Sequence, residues 1–303
     1  MSGQLSAGGG YVQRRIDVEF NLGAAPDVIT GLPNTFSGGA NTVLATGLRI
    51  HASISVTPEN AMPHAHVRIY GLTLDVMNQL STTGKTLPEA NGNSITVKAG
   101  DQTGTSVVFT GTIKRAEIDA NGLPEVALVV TAFTGADAAM RPVAPTTYSG
   151  TVDAATVLAG IATKAGYKFE NNGVSAMLAY PYYPGTARDQ ALACARHADC
   201  CILFDKGIMA IWPRNGSRGG AVPLISADTG LVGFPSSCEQ GGISLTTLYN
   251  PSIVANGRVQ VQSALTRANG TWQVISTEHE LQSETPNGAW FTHLTTWAQG
   301  HTT

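Results

Sequence analysis

Ionised side chains are scarce in this sequence: 18 basic and 21 acidic residues make up 13% of its 303 positions, against roughly 25% in ordinary soluble domains. A surface so poor in charge is expected to meet protein over much of its area, because interface cores are depleted of charged residues. Long apolar runs are missing too. None approaches the roughly 20 residues a membrane-spanning helix requires, so insertion into a bilayer is not expected. Residues 1–10 lack the basic and apolar regions of a signal peptide, which points to synthesis in the cytoplasm. Cysteine is confined to Cys194, Cys200, Cys201 and Cys238, and a reducing compartment favours free thiols over bridges. A formal charge of -3 gives no broad basic footprint for tight nucleic-acid binding.

What is present is mostly strand. Ile16, Val18, Phe20 and Leu22 alternate with polar neighbours, as do Leu48, Ile50, Ala52, Ile54 and Val56, and both runs predict half-buried strands. Val67, Ile69 and Leu72 flank a strand end that Gly71 lets turn. Leu74, Met77 and Leu80 then offer a short apolar helical stripe. Ile95 and Val97 alternate with Thr96 and Lys98 ahead of turn chemistry at residues 99–104, and a further apolar run covers 107–113. Asp119-Ala120-Asn121-Gly122 is the expected turn between a strand at 112–119 and another at 126–133. Residues 34–41 read as a loop.

Two prolines at Arg141-Pro142-Val143-Ala144-Pro145 favour extended chain, and beyond them the apolar period changes. Val152, Ala155, Leu158, Ile161, Ala162 and Ala165 form one helical face ending at Gly166. A second helix starts at Thr186, where Asp189 stands in for the usual Glu of a capping box, and continues to about Ala198. Strands at 201–204 and 208–212 are separated by the tight turn Asp205-Lys206-Gly207. Strand patterning returns at 229–235, at Leu248-Tyr249-Asn250-Pro251, at Val259 and Val261, and at Trp272, Val274 and Ile275 after the Asn269-Gly270 turn. The expected organisation is mainly β with a small α+β insert. Residues 1–148 and 221–303 are β domains flanking a helix-containing domain at 149–220, and the outer two are compatible with copies of one barrel design.

Candidate chemical sites carry little. Gly84-Lys85-Thr86 resembles the end of a phosphate-binding loop, but Gln79 stands where its first glycine belongs and a helix precedes it instead of a strand. His64 and His66 share one strand face at a spacing that suits a metal, with no third ligand at recognisable spacing. Cys194, His197 and Cys201, with Cys200 beside them, are spaced to share a face of the second helix, whereas structural zinc gathers ligand pairs from two separate segments. Glu278-His279-Glu280 reads as alternation across an exposed strand face. No nucleophile elbow is present, and no family signature ties a cysteine to His197, His279 or His293. Trp272, Trp290 and Trp297, with Phe291, are expected to pack in a core or between subunits rather than to form a carbohydrate platform. No catalytic, cofactor or metal residues are assigned.

Ile69-Tyr70-Gly71-Leu72, Met77-Asn78-Gln79-Leu80, Ala99-Gly100-Asp101, Phe109-Thr110-Gly111-Thr112-Ile113, Gly230-Leu231-Val232-Gly233-Phe234-Pro235 and Leu248-Tyr249-Asn250-Pro251 follow one another in an order that resembles the baseplate hub family of contractile-tailed bacteriophages. The resemblance spans about 16–290. It implies a homotrimeric structural ring of two tube-like antiparallel β-barrel domains per chain, joining a hexameric tail tube or tube-initiator protein to a central spike. It also implies wedge and tape-measure proteins as further partners, a lumen through which DNA passes transiently, no enzymatic activity, no cofactor, and a place in the virion baseplate after assembly in the host cytoplasm. The rival classes are a tail-associated murein hydrolase, the hub of a phage-derived contractile injection particle and, more weakly, a carbohydrate-binding module.

Overall fold

The computed structural model describes residues 13–23, 34–36, 39–57, 61–83, 92–238 and 241–298. The first segment holds β1 (Arg15–Asn21), β2 (Thr42–Ala45), β3 (Ile50–Val56), β4 (His64–Tyr70), α1 (Leu74–Leu80), β5 (Ser94–Asp101), β6 (Gly104–Asp119) and β7 (Ala127–Phe133). A middle segment follows with α2 (Ala136–Met140), β8 (Thr146–Thr147), β9 (Thr151–Asp153), α3 (Ala154–Lys164), β10 (Lys168–Asn171), β11 (Met177–Ala179), β12 (Tyr182–Tyr183), α4 (Ala187–His197), β13 (Cys200–Asp205) and β14 (Ile208–Pro213). The last segment contains β15 (Leu224–Ile225), β16 (Leu231–Ser237), β17 (Ile243–Leu248), β18 (Arg258–Val261), β19 (Gly270–Ser283) and β20 (Trp290–Ala298). The chain is therefore mainly antiparallel β with a small helix-containing insert, as its patterning predicts.

The outer segments are linked by hydrogen bonds as well as by chain. A 13-stranded sheet follows the path β16-β17-β20-β19-β3-β4-β7-β6-β5-β1-β2, with β18 on β19 and β15 on β18. The junction is antiparallel pairing of β3 with β19 from Val56 opposite Thr277 to Ile50 opposite Ser283. Two long strands change partner along their length. β6 pairs β5 over Gly104–Thr112 and β7 over Thr112–Asp119, while β19 pairs β18 at Gly270–Gln273 and β3 at Thr277–Ser283. Register shifts accompany both changes, at Ile113/Arg115 and at Val274/Ser276. Such bulges bend a strand and sharpen its twist, which lets the sheet curl over a core.

Apolar packing falls into three main clusters. The first takes Ile16, Val18, Phe20, Ile54, Val67, Ile95, Phe109 and Val130, among others, and borrows Leu281 and Trp290 from the last segment. A second, around Leu158, Ile161, Ala191, Cys194 and Ile211, fills the middle segment, where α3 and α4 cover the three-stranded sheet β10-β14-β13. The third gathers Ile225, Leu245, Val259, Val261, Val274 and Leu294. A smaller cluster of Val56, Leu203, Ala210, Trp212 and Ala255 ties the middle segment to β3.

Several local expectations hold in detail. Thr186 Oγ1 accepts from the Asp189 backbone N–H at 3.1 Å and the Asp189 carboxylate accepts from the Thr186 N–H at 3.2 Å, completing the capping box of α4. Gly71 ends β4 at φ +85°, in the left-handed region. Others need correction. Leu74 is 62% exposed, so the buried stripe of α1 is Met77 and Leu80 with Val76 half-buried, and the expected stripe loses its first member. Val152 is not helical: it lies in β9, paired with Leu178. Residues 107–119 belong to one continuous strand instead of two. Of Leu248-Tyr249-Asn250-Pro251, only Leu248 is strand, and the strand preceding it, β17, was not expected.

Candidate functional site

Among the described residues, none of the sequence candidates assembles into a chemical centre. Gly84-Lys85-Thr86 lies outside the described residues. Cys194 and Cys201 do not share a helix face. Cys194 sits on α4 inside the middle core, whereas Cys201 lies on β13 opposite Trp212 and packs against the cluster of Val56 and Trp212. Burial pushes the Cys194 thiol up to about 12 and that of Cys200 up to about 11, so neither offers a ready thiolate. His197 instead meets the Tyr183 hydroxyl through Nδ1 at 3.1 Å. Among the described residues no group of three or more His, Cys, Asp or Glu side chains is placed to hold a metal ion.

His279 is not on an exposed face. The shift at Val274/Ser276 inverts the alternation of β19, so Thr277, His279 and Leu281 turn inward while Glu278 and Glu280 stay out. The His279 Nδ1 lies 2.9 Å from the Thr292 hydroxyl, and its ring meets Tyr249 edge-on at 5.5 Å. Burial, with a smaller contribution from the charge of Lys206, pushes its pKa down to about 3. The tryptophans do not form a platform: Trp290 is buried against Tyr249, and the Trp272 indole N–H donates to the Ala268 carbonyl at 2.8 Å near the third core.

What the fold does assemble is a broad polar sheet face. β17, β20, β19, β3, β4, β7 and β6 are consecutive neighbours, and strict alternation sends every second side chain to one side. The pairings align Thr246, His293, Glu278, Ser55, His64 and Phe133 in one row. The next row holds Leu248, Phe291, Glu280, Ser53, His66, Thr131 and Arg115, and a third holds Gln282, His51, Arg68, Val129 and Glu117. All of these side chains are exposed or half-buried. Their opposite-facing neighbours, such as Ile54, Val67, Val130 and Leu294, are buried in the cores.

Fixed charges on this face are largely neutralised in place. Arg68 is ion-paired with Asp119 and donates to the Tyr70 hydroxyl at 2.7 Å. The backbone N–H of Asn121 and then Arg68 hold the Asp119 carboxyl below its usual range. Arg115 pairs with Glu117 at 2.6 Å, Lys114 Nζ stands 5.2 Å from the centre of the Phe133 ring, and His293 Nε2 is 3.7 Å from Glu280. Burial first, then Arg49 and Arg68, lowers the pKa of His51. The middle segment packs on the other side of the sheet, since its Leu203, Ala210 and Trp212 contact the inward-facing Val56. Individual strands of this face were legible as polar alternation; their assembly into one surface was not.

Known proteins share the architecture. No curated protein matches the chain in sequence. Solved structures similar to it include a tail protein from Neisseria meningitidis MC58, at 10% identity and TM-score 0.61, covering 95% of this chain and 97% of that one. The 43 kDa tail protein of prophage MuSo2 from Shewanella oneidensis aligns at 9% identity and TM-score 0.59, again over 95% and 97%. The E. coli c3393 protein, a type VI secretion component described as structurally similar to the T4 tail proteins gp27 and gp5, aligns at 8% identity and TM-score 0.53 over 84% and 76%. At these identities the likeness concerns the fold alone. Among the described residues no helix is long and apolar enough to cross a membrane. The family model described as baseplate hub gp41 matches residues 32–291, most of the sequence, and the chain belongs to that family of baseplate hub proteins of contractile-tailed phages.

Proposed function

We propose that three copies of this chain close into a ring that joins a hexameric tail tube to a central spike and leaves a channel for tape-measure protein and DNA. In this reading each copy supplies two tube-like units, one from the first segment and one from the last, so that three chains offer six similar units to a six-fold tube. The observation that carries it is the polar face running unbroken through both outer segments across the β3–β19 junction. A channel wall needs such a face, continuous between units and free of strong cationic patches that would grip phosphate. Four cations, Arg49, Arg68, Lys114 and Arg115, stand against five carboxylates, Glu117, Asp119, Glu125, Glu278 and Glu280, and three of those cations are already paired. The middle segment, docked on the opposite side through Val56 and Trp212, then stands outside the ring, where spike or wedge proteins are within reach.

The work is mechanical, with no chemical step assigned to any residue. The chain is made and assembled in the host cytoplasm and ends in the virion tail. Mass photometry of the purified chain, alone and with the spike protein, tests the ring: a trimer in either case is expected. A chain that stays monomeric with both spike and tube proteins, or a cryo-electron map that places it off the tail axis, overturns the reading.

A further inference from the structure

The polar face ends differently on its two sides. On one side the sheet path stops at β16, which is paired with β17 alone. Val232 stands opposite Thr246 and Ser236 opposite Ser244, so Gly233, Phe234 and Pro235 share the single Leu245. Gly233 takes φ +71°, Pro235 turns inward, and Phe234 is pushed out to 69% exposure beside the exposed Val232. A bulge re-aims side chains on an edge strand, and a proline there withholds a ladder donor. This edge therefore presents a phenyl ring and discourages pairing with another strand. On the other side, where β7 meets β6, the face ends in a hole. Met62, Ile113, Phe133, Ala136, Ala139 and Met140 line a cleft of about 270 Å³. An apolar cavity of roughly 150 Å³ accepts benzene, so the cleft has room for a phenyl ring and a flanking isopropyl group. We infer that Phe234 and Val232 of one copy seat in this cleft of the next copy.

Level and charge both match. Val232 extends the row that runs through Thr246, His293, Glu278, Ser55 and His64 to Phe133 in the cleft. Phe234 lies past that row toward the row of Ser236 and Ser244, and Met62, two residues ahead of His64, lies past it on the same side. Knob and hole thus sit at one level of the sheet, as a head-to-tail contact requires if it is to close into a ring instead of climbing into a filament. Lys114 Nζ stands 5.2 Å from the centre of the Phe133 ring at one rim of the cleft, and the exposed Arg141 follows Met140 at the other. Asp137 of the same rim is engaged by the Tyr167 hydroxyl at 3.0 Å. The segment that bears the knob, 221–303, has Arg258 and Arg267 as its basic residues against five acidic ones, and Asp228 is exposed in the turn leading into β16. A cationic rim therefore meets an acidic flank. Each copy carries both halves, so a ring uses every knob and every hole once.

The inference rests on the ring reading above and supplies its subunit junction. Its test uses the full-length chain and sedimentation equilibrium over a range of concentrations, alone and with spike and tube proteins present, with circular dichroism as the check on folding. Phe234→Ala, changed at an exposed position, should raise the concentration at which trimers form by at least about tenfold, as for an aromatic anchor in a pocket. Met140→Ala should raise it severalfold. The combined variant should do little worse than Phe234→Ala by itself, since residues in contact do not act additively. Trimers of Phe234→Ala as tight as those of the native chain overturn the inference and leave the ring standing. Fully multiplicative effects of the two changes also overturn it, because Phe234 would then seat elsewhere. A native chain that stays monomeric with both spike and tube proteins overturns the ring reading and the junction with it.

Discussion

His279 shows how one side chain can give the chain a pH-dependent stability of its own. Its folded pKa lies at about 3 through burial, while the unfolded chain restores the ordinary value near 6.5. Above that value the imidazole is neutral in both states and contributes nothing to the pH dependence. Below it the unfolded chain takes up a proton that the folded chain refuses, so stability falls with pH by about 1.4 kcal/mol per unit until the folded pKa is reached. His51 acts in the same direction, also lowered by burial. Carboxylates held low, such as Glu170 by its hydrogen bond from Arg218, add to the loss only below their own unfolded values near 4.5. Urea midpoints recorded between about pH 6.5 and about pH 5 should therefore fall in the native chain and fall less in His279→Gln. An unchanged slope in that variant would show that the ring is not the group responsible.

A second residue-scale feature is Arg218, 6% exposed, whose guanidinium donates to Glu170 at 3.1 Å and to Asp205 at 3.5 Å. Its backbone N–H reaches the Asn256 carbonyl at 2.7 Å, so one residue ties the middle segment to the last. Removing the cation strands the buried Asp205 carboxylate, and Arg218→Met should destabilise by about 3 kcal/mol. Adding Asp205→Asn should recover part of that loss, because the stranded charge is then gone. Denaturant titration of the two single variants and the double variant measures the coupling. A strictly additive result would mean the pair does not interact.

At the scale of elements, β6 and β19 decide the architecture, each bordering two different strands along its length. Gly111 stands at the changeover in β6: a methyl there would lie 2.6 Å from Phe109 Cζ and 2.8 Å from the Phe133 carbonyl carbon and oxygen. The backbone cannot yield without opening the β6–β7 pairing, so Gly111→Ala should cost about 1–3 kcal/mol, read as a lower urea midpoint. An unchanged midpoint would mean that the strands separate freely at this point. Much of the rest was legible locally. Ile16, Val18 and Phe20 announced β1 through alternation, and Thr186 with Asp189 announced the start of α4 through capping chemistry. Phase errors came from irregularities that leave no local mark. The bulge at Val274/Ser276 turned His279 inward, and at the start of α1 it is Val76, not Leu74, that joins Met77 and Leu80 against the first core. The β3–β19 pairing joins residues more than two hundred positions apart, and neither strand's own sequence encodes its partner. The polar face inherits that illegibility, since each strand contributes only alternate Ser, Thr, His or Glu until the sheet aligns them.

For the molecule as a whole, the decisive contact is the one that fixes the middle segment to the sheet opposite the polar face. Trp212 is 4% exposed and packs with Leu203 and Ala210 of its own segment against Val56 of β3 and Ala255. Lys206, at the tip of the β13–β14 turn, approaches closely enough for its charge to act on His279, which places that hairpin along the inward side of β19. The joint combines this apolar patch with the Arg218 ion pairs and the Gln273 side chain, which donates to the Gly216 carbonyl at 3.0 Å. Truncating Trp212 to Ala removes the largest apolar group of the joint and should cost about 3–5 kcal/mol. The middle segment keeps its own core around Leu158 and Ile161, so the loss should be local. Hydrogen exchange of Trp212→Ala should show faster exchange at residues 54–57, 203–212 and 253–257, with β1, β5 and α3 protected as before. Uniform acceleration across the chain would instead make the joint part of one indivisible core.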